Sequence, residues 1–111
     1  MKELIKKISG FLKILSDKKN LEILLYLKSG EKSSVEIQRA LKLRQPTVSL
    51  HIKILMDENL VFSSKKDNIK YYNIQDDFLF KVLSSVHSLM VNLKRDEIQS
   101  ITDLSIFDTL I

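Results

Sequence analysis

The stretch Gln45-Pro46-Thr47-Val48-Ser49-Leu50-His51-Ile52-Lys53-Ile54-Leu55 decides how the rest of the chain is read. A proline at the first helical position has φ already set for a helix and lacks an N–H that would be unpaired there anyway, so a helix starts at Gln45 or Pro46 and runs to about Asn59. Val48, Ile52 and Leu55 recur at i, i+4 and i+7, which puts them on one inward face. Pro46, Ser49, Leu50 and Lys53 point away from it, with Gln45 and Thr47 beside them in the first turn. Such a helix is anchored along one side and offers amide, hydroxyl and methyl groups along the other.

Working back from it, Lys42 to Arg44 is a short turn, and Ser33 with Glu36 fits a capping box that opens a short helix through Ile37, Ala40 and Leu41. Asp17 suits the N-cap of a helix whose expected buried set is Leu21, Leu24, Leu25 and Leu27, with Gly30 as its stop. Leu4, Ile5, Ile8, Phe11, Leu12 and Leu15 recur at helical spacing among Lys2, Lys6, Lys7 and Lys13, so residues 1–15 read as an amphipathic first helix, which Gly10 weakens by about 1 kcal/mol relative to alanine.

Working forward, Val61-Phe62-Ser63-Ser64 and Lys70-Tyr71-Tyr72-Asn73-Ile74 are β-prone runs around the basic turn Lys65-Lys66-Asp67-Asn68, and they predict a hairpin over 61–74. Acidic Asp76 and Asp77 then sit at the positive end of a last helix. Its stripe Leu79, Leu83, Val86, Met90 and Leu93, widened by Val82 and Leu89, has the spacing of a coiled-coil seam or of packing within one subunit. The segment 96–111 is too apolar for a solvated tail. It reads either as a further helix over the seam or as a partner or effector surface.

With 111 residues, 44% of them apolar, and no linker, the chain is expected to be one domain. Its parts are an N-terminal helix (1–15), a core (17–75) and a last helix with apolar tail (76–111). The expected fold is mainly α with a small β-hairpin, in the order of a winged helix-turn-helix with helical dimerisation elements at both termini. Cysteine is absent, which excludes disulfides, thiolate metal sites and cysteine nucleophiles. Apolar runs are too short to span a membrane and the N-terminus lacks a signal peptide's unbroken core, so a cytoplasmic location is expected. The net charge of +4 is unevenly placed: residues 1–75 carry 15 Lys and Arg against 8 Asp and Glu, whereas residues 76–111 carry 3 against 6. A basic body suits a polyanion, since Lys and Arg on phosphates release condensed counterions.

These features point to double-stranded DNA as the partner. Gln can bond adenine through both amide groups, Ser and Thr can reach bases or phosphates, and Leu can touch a thymine methyl. Candidate contacts are Arg44, Gln45, Thr47, Ser49, Leu50 and Lys53 on the helix, with Lys65, Lys66 and Lys70 on the hairpin. An enzyme is disfavoured, because there is no Gly-rich phosphate loop and only two histidines, far apart. A winged helix used only to bind another protein is the remaining alternative.

The residues also carry a resemblance. Leu15-Ser16-Asp17 with Leu21-Glu22-Ile23-Leu24, then Leu43 to Leu55, Asn59-Leu60-Val61 and Lys70-Tyr71-Tyr72-Asn73-Ile74 resemble the ArsR family of winged-helix repressors over about residues 11–75. The resemblance implies a repressor acting as a homodimer on a twofold-symmetric operator, joined through its first and last helices. Leu4, Ile8 and Phe11 with Leu79, Leu83, Val86, Met90 and Leu93 would make that joint. Two departures stand out. The residue before Gln-Pro-Thr is commonly Ser in the family, which suits an N-cap; Arg44 stands here, and is expected to meet a phosphate instead. Relatives also bind metals, through cysteines in the third helix or through Asp and His along the last. The second ligand set falls at about Asp77, Leu79, Met90 and Leu93, of which one could be a ligand, and His87 lies off it. His51 is expected to be structural. No metal and no cofactor are expected, and a small-molecule or protein effector is left unidentified. Stoichiometric Zn²⁺, Co²⁺ or Ni²⁺ should therefore leave duplex affinity unchanged in a titration, and a tenfold shift would overturn that expectation.

Overall fold

The computed structural model describes residues 1–95, so the apolar segment 96–111 lies outside the described residues. In chain order the elements are α1 (Lys2–Leu15), α2 (Lys18–Leu27), β1 (Lys32–Ser33), α3 (Ser34–Leu41), α4 (Gln45–Asp57), β2 (Val61–Lys66), β3 (Ile69–Ile74) and α5 (Phe78–Leu93). They fall into two compact units, Met1–Asp77 and a second that begins at Phe78.

In the first unit local chemistry sets most boundaries. The Asp17 carboxylate accepts the backbone N–H groups of Lys19 (2.9 Å) and Asn20 (3.1 Å), which would otherwise be orphaned at the start of α2. Ser33 and Glu36 form the full capping box: the Ser33 hydroxyl accepts from the Glu36 N–H (3.2 Å), and the Glu36 carboxylate accepts from the Ser33 N–H (2.9 Å). α3 ends at Leu41, capped by Lys42 at φ 56°, and the three turn residues Lys42 to Arg44 lead into α4 at Gln45.

The core gathers Ile23, Leu24 and Leu27 of α2, Ile37 of α3, Val48, Ile52 and Leu55 of α4, and Val61 of β2. Two sequence expectations change here. Leu25 is exposed and Ile23 is buried, because at 100° per residue Asn20, Ile23, Leu24 and Leu27 form the inward stripe of α2, whereas Leu25 falls well outside it. α2 also stops at Leu27, ahead of Gly30, whose φ of 133° turns the chain toward β1.

The hairpin is present, and it is part of a three-stranded antiparallel sheet in the order β1-β3-β2. The added strand pairs Lys32 with Tyr72 and Ser33 with Tyr71. Burial there pushes the Tyr72 phenol above its ordinary value, since the phenolate would be poorly solvated. The turn itself is only Asp67-Asn68, both at positive φ (51° and 66°), as a tight loop matched to strand twist requires. Lys65 and Lys66 therefore lie on β2 and not in the turn.

The second unit is described through α5. Leu79 is buried, while Val86, Leu89, Met90 and Leu93 on the expected seam are exposed.

Removing the capping hydroxyl with Ser33→Ala should cost about 1 kcal/mol of stability, measured as a lower urea midpoint with unchanged slope. An unchanged midpoint would show that α3 does not depend on its box.

Candidate nucleic-acid interface

Three side chains fix α4 in place. Val48, Ile52 and Leu55 are between 0% and 3% exposed. Full burial of each such side chain stabilises by about 1.5–3 kcal/mol, and together they pin one face of the helix toward α2, α3 and β2. At its end the Asn59 N–H bonds the Met56 carbonyl (3.0 Å) and the Leu60 N–H reaches back to the Leu55 carbonyl (2.9 Å), with Asn59 at φ 59°. This is a Schellman stop with asparagine in the left-handed position. The helix expected to reach Asn59 thus ends at Asp57, because Asn59 adopts a left-handed backbone.

The opposite face is open. Arg44, Gln45, Pro46, Ser49, Leu50 and Lys53 are exposed, and Thr47 is half-buried. Arg44 takes the N-cap position in extended geometry and makes no side-chain cap bond, so the cap that its identity denied is indeed missing. Gln45 Nε2 donates to Ser49 Oγ at 2.6 Å, linking two candidate base contacts along the helix. The Lys53 ammonium lies 3.0 Å from the Asp57 carboxylate, an exposed i,i+4 pair of little strength that a phosphate can replace.

Behind the open face sits a polar contact of which the sequence supplied only one half. Buried His51 has Nδ1 2.7 Å from Asn20 Oδ1. Asn20 Nδ2 donates to the Ile14 carbonyl at 2.9 Å, so Oδ1 must be the acceptor and His51 must carry its proton on Nδ1. The Asp17 carboxylate lies 3.8 Å from the same nitrogen. The end of α1, the cap of α2 and the middle of α4 are thereby joined. The available signal was an asparagine at a stripe position of α2.

On the hairpin, Lys65 stands directly opposite Lys70, and Lys66 opposite Ile69. Lys66 is already engaged: its ammonium donates to Glu31 Oε1 at 2.9 Å, an ion pair that sequence reasoning missed across 35 residues of chain. Among the described residues no group of three or more His, Cys, Asp or Glu is placed to hold a metal ion.

Two short helices with a three-residue turn, the second leading through a tight stop into a β-hairpin, define a winged helix-turn-helix protein. The solved structures agree. The fold matches NolR from Sinorhizobium fredii with a TM-score of 0.72 at 26% identity, covering 78% of this chain and 87% of that one. It also matches the homodimeric winged helix-turn-helix DNA-binding domain of Mb0332 from Mycobacterium bovis with a TM-score of 0.71 at 22% identity, covering 84% and 87%. Residues 17–63 fit the sequence model described as "Bacterial regulatory protein, arsR family". Over 90 residues the chain is 33% identical to the arsenical resistance operon repressor of Staphylococcus aureus, covering 81% of this chain and 86% of that protein. The chain belongs to the arsR family of bacterial regulatory proteins, and is a regulator and not an enzyme.

Asn20→Leu leaves the buried His51 Nδ1–H without its acceptor, while the Ile14 carbonyl keeps the Asp17 N–H (3.3 Å), and should cost about 2 kcal/mol in a denaturation series. A variant as stable as the parent would show that the contact carries no weight.

Proposed function

We propose that this protein is a sequence-specific, double-stranded-DNA-binding transcription repressor that acts in the cytoplasm as a homodimer on a palindromic operator. One observation carries the reading: the open polar face of α4, held by three buried side chains, runs into a hairpin bearing Lys65, Lys66 and Lys70. Groove contacts and flanking phosphate contacts then come from neighbouring elements of one compact unit. Family membership supports the same reading, as does the repressor activity named for the Staphylococcus aureus relative.

Roles within the interface follow from side-chain chemistry. Gln45 and Ser49 enter the major groove as a bonded pair, with the Gln45 Oε1 accepting and the Ser49 hydroxyl donating. Leu50 and the Thr47 methyl touch thymine methyls. Arg44, at the mouth of the helix, takes a backbone phosphate.

Self-association is supported by the apolar faces left open on two helices, each considered by itself. On α1, Leu4, Ile5, Ile8, Phe11 and Leu12 are exposed, and on α5 so are Val86, Met90 and Leu93, whereas Leu79 is already covered within the chain. The Mycobacterium bovis domain is homodimeric. Two heads related by twofold symmetry would grip half-sites about 34–36 Å apart on one face of the duplex. The arsenical response named for the Staphylococcus aureus relative is not carried over: with no cysteine, this chain offers no thiolate to a soft metalloid, and its signal is of another chemistry.

Duplex binding across a salt series tests the function. Affinity should fall with salt by about 0.9 in log–log slope per neutralised phosphate, Arg44→Ser should remove about one such unit per subunit, and Gln45→Ala should mainly blunt discrimination by about 1–3 kcal/mol per base contact. Absence of binding even at low salt would overturn the proposal in favour of a protein-interaction module, and equal weakening of every duplex by Gln45→Ala would remove its base-reading role.

A further inference from the structure

The three hairpin lysines look equivalent in sequence and are not equivalent in the fold. Lys65 and Lys70 are both exposed and share one rung of the antiparallel ladder. Directly opposite residues have Cβ atoms about 4.5–5.5 Å apart, and like charges so placed weaken a hairpin. Among the described residues, neither ammonium lies within ion-pair distance of a carboxylate. Lys66, the next residue, projects to the other face of the strand and meets Glu31 in the loop between α2 and β1. Its charge is paired within the protein, and its contact ties the far end of β2 to that loop.

We infer that Lys65 and Lys70 form a two-cation clamp for a single DNA backbone phosphate, whereas Lys66 is a positioning residue that braces the wing through Glu31 and meets no phosphate. This narrows the phosphate contacts of the DNA-binding reading, on which it rests. The unrelieved repulsion on the Lys65–Lys70 rung is the informative feature. A hairpin selected for stability alone gains from an opposite charge at either position, while a phosphate oxygen between the two ammonium groups removes the repulsion only when DNA is bound. Local sequence choices that weaken a fold without internal compensation are expected at functional sites.

The experiment uses the whole chain, a mixed-sequence DNA duplex and two readouts: affinity against NaCl concentration, and the thermal midpoint of the free protein at low salt. Lys65→Gln together with Lys70→Gln should lower the log–log salt slope by about 0.9 per wing, which shrinks the affinity ratio between 50 and 200 mM salt by about threefold to fourfold. Either substitution alone should weaken binding and raise the free protein's midpoint, because repulsion is lifted. Lys66→Gln should leave the salt slope at the parent value and lower the midpoint by about 1–4 °C. Exchanging the charges, with Glu31→Lys and Lys66→Glu together, should restore the midpoint.

Two results would overturn the inference while leaving the function intact: a slope reduced by Lys66→Gln as much as by Lys65→Gln and Lys70→Gln together, or a midpoint lowered by Lys70→Gln. If the parent protein binds no duplex at any salt, the DNA-binding reading itself fails and takes the clamp with it.

Discussion

Everything at the interface depends on α4 living in two environments at once. Val48, Ile52 and Leu55 must be withdrawn from water, and the residues between them must not be. With 3.6 residues per turn, those two demands fix the rotation of the helix about its own axis to within a fraction of a turn. The packing energy of three aliphatic side chains thus sets which groups face outward, and no separate device is needed to present Gln45, Ser49, Leu50 and Lys53. Apolar packing is tolerant of small sliding, however, and rotation is not the only freedom a helix has. The His51–Asn20 contact is directional where the packing is not. By bonding a carbonyl at the end of α1 and a ring nitrogen at the middle of α4, Asn20 fixes how far α4 can move along its axis.

The wing applies the same division of labour to charge. A lysine that braces the hairpin and lysines that await a phosphate have opposite requirements: the first needs a carboxylate partner within the protein, the second must lack one. Alternation along β2 separates them, since Lys65 and Lys66 are neighbours in sequence but project to opposite faces. The strand's period of two is what lets adjacent identical residues hold different roles.

Much of this was legible in the sequence wherever the cause was local. Pro46 announced the start of α4, Asp17 and the Ser33–Glu36 pair announced the starts of α2 and α3, and the Asp67-Asn68 pair announced the hairpin turn. The i, i+4, i+7 spacing of Val48, Ile52 and Leu55 identified the inward face of α4 without ambiguity. Features whose cause lies far along the chain were not legible. β1 is two residues long, too short for any period, and exists only because Tyr71 and Tyr72 arrive to pair with it. The burial of Ile23 in place of Leu25 depends on which side of a helix with aliphatic residues around most of its girth meets the core, and the polar Asn20 within that stripe marks the side only once its partner His51 is known. Glu31 and Lys66 likewise reveal their pairing only when the sheet brings them together.

The stop at the end of α4 has a mechanical consequence. Asn59 turns the chain so sharply that Leu60 is still bonded to the helix while Val61 already belongs to the sheet and is buried. Helix and wing therefore share no hinge. Any tilt of α4 would carry the start of β2 with it. The same stiffness constrains the junction: inserting one residue there would move Ser64 into the place of Lys65 and exchange the two faces of β2, so that every side chain of the strand would project on the opposite side.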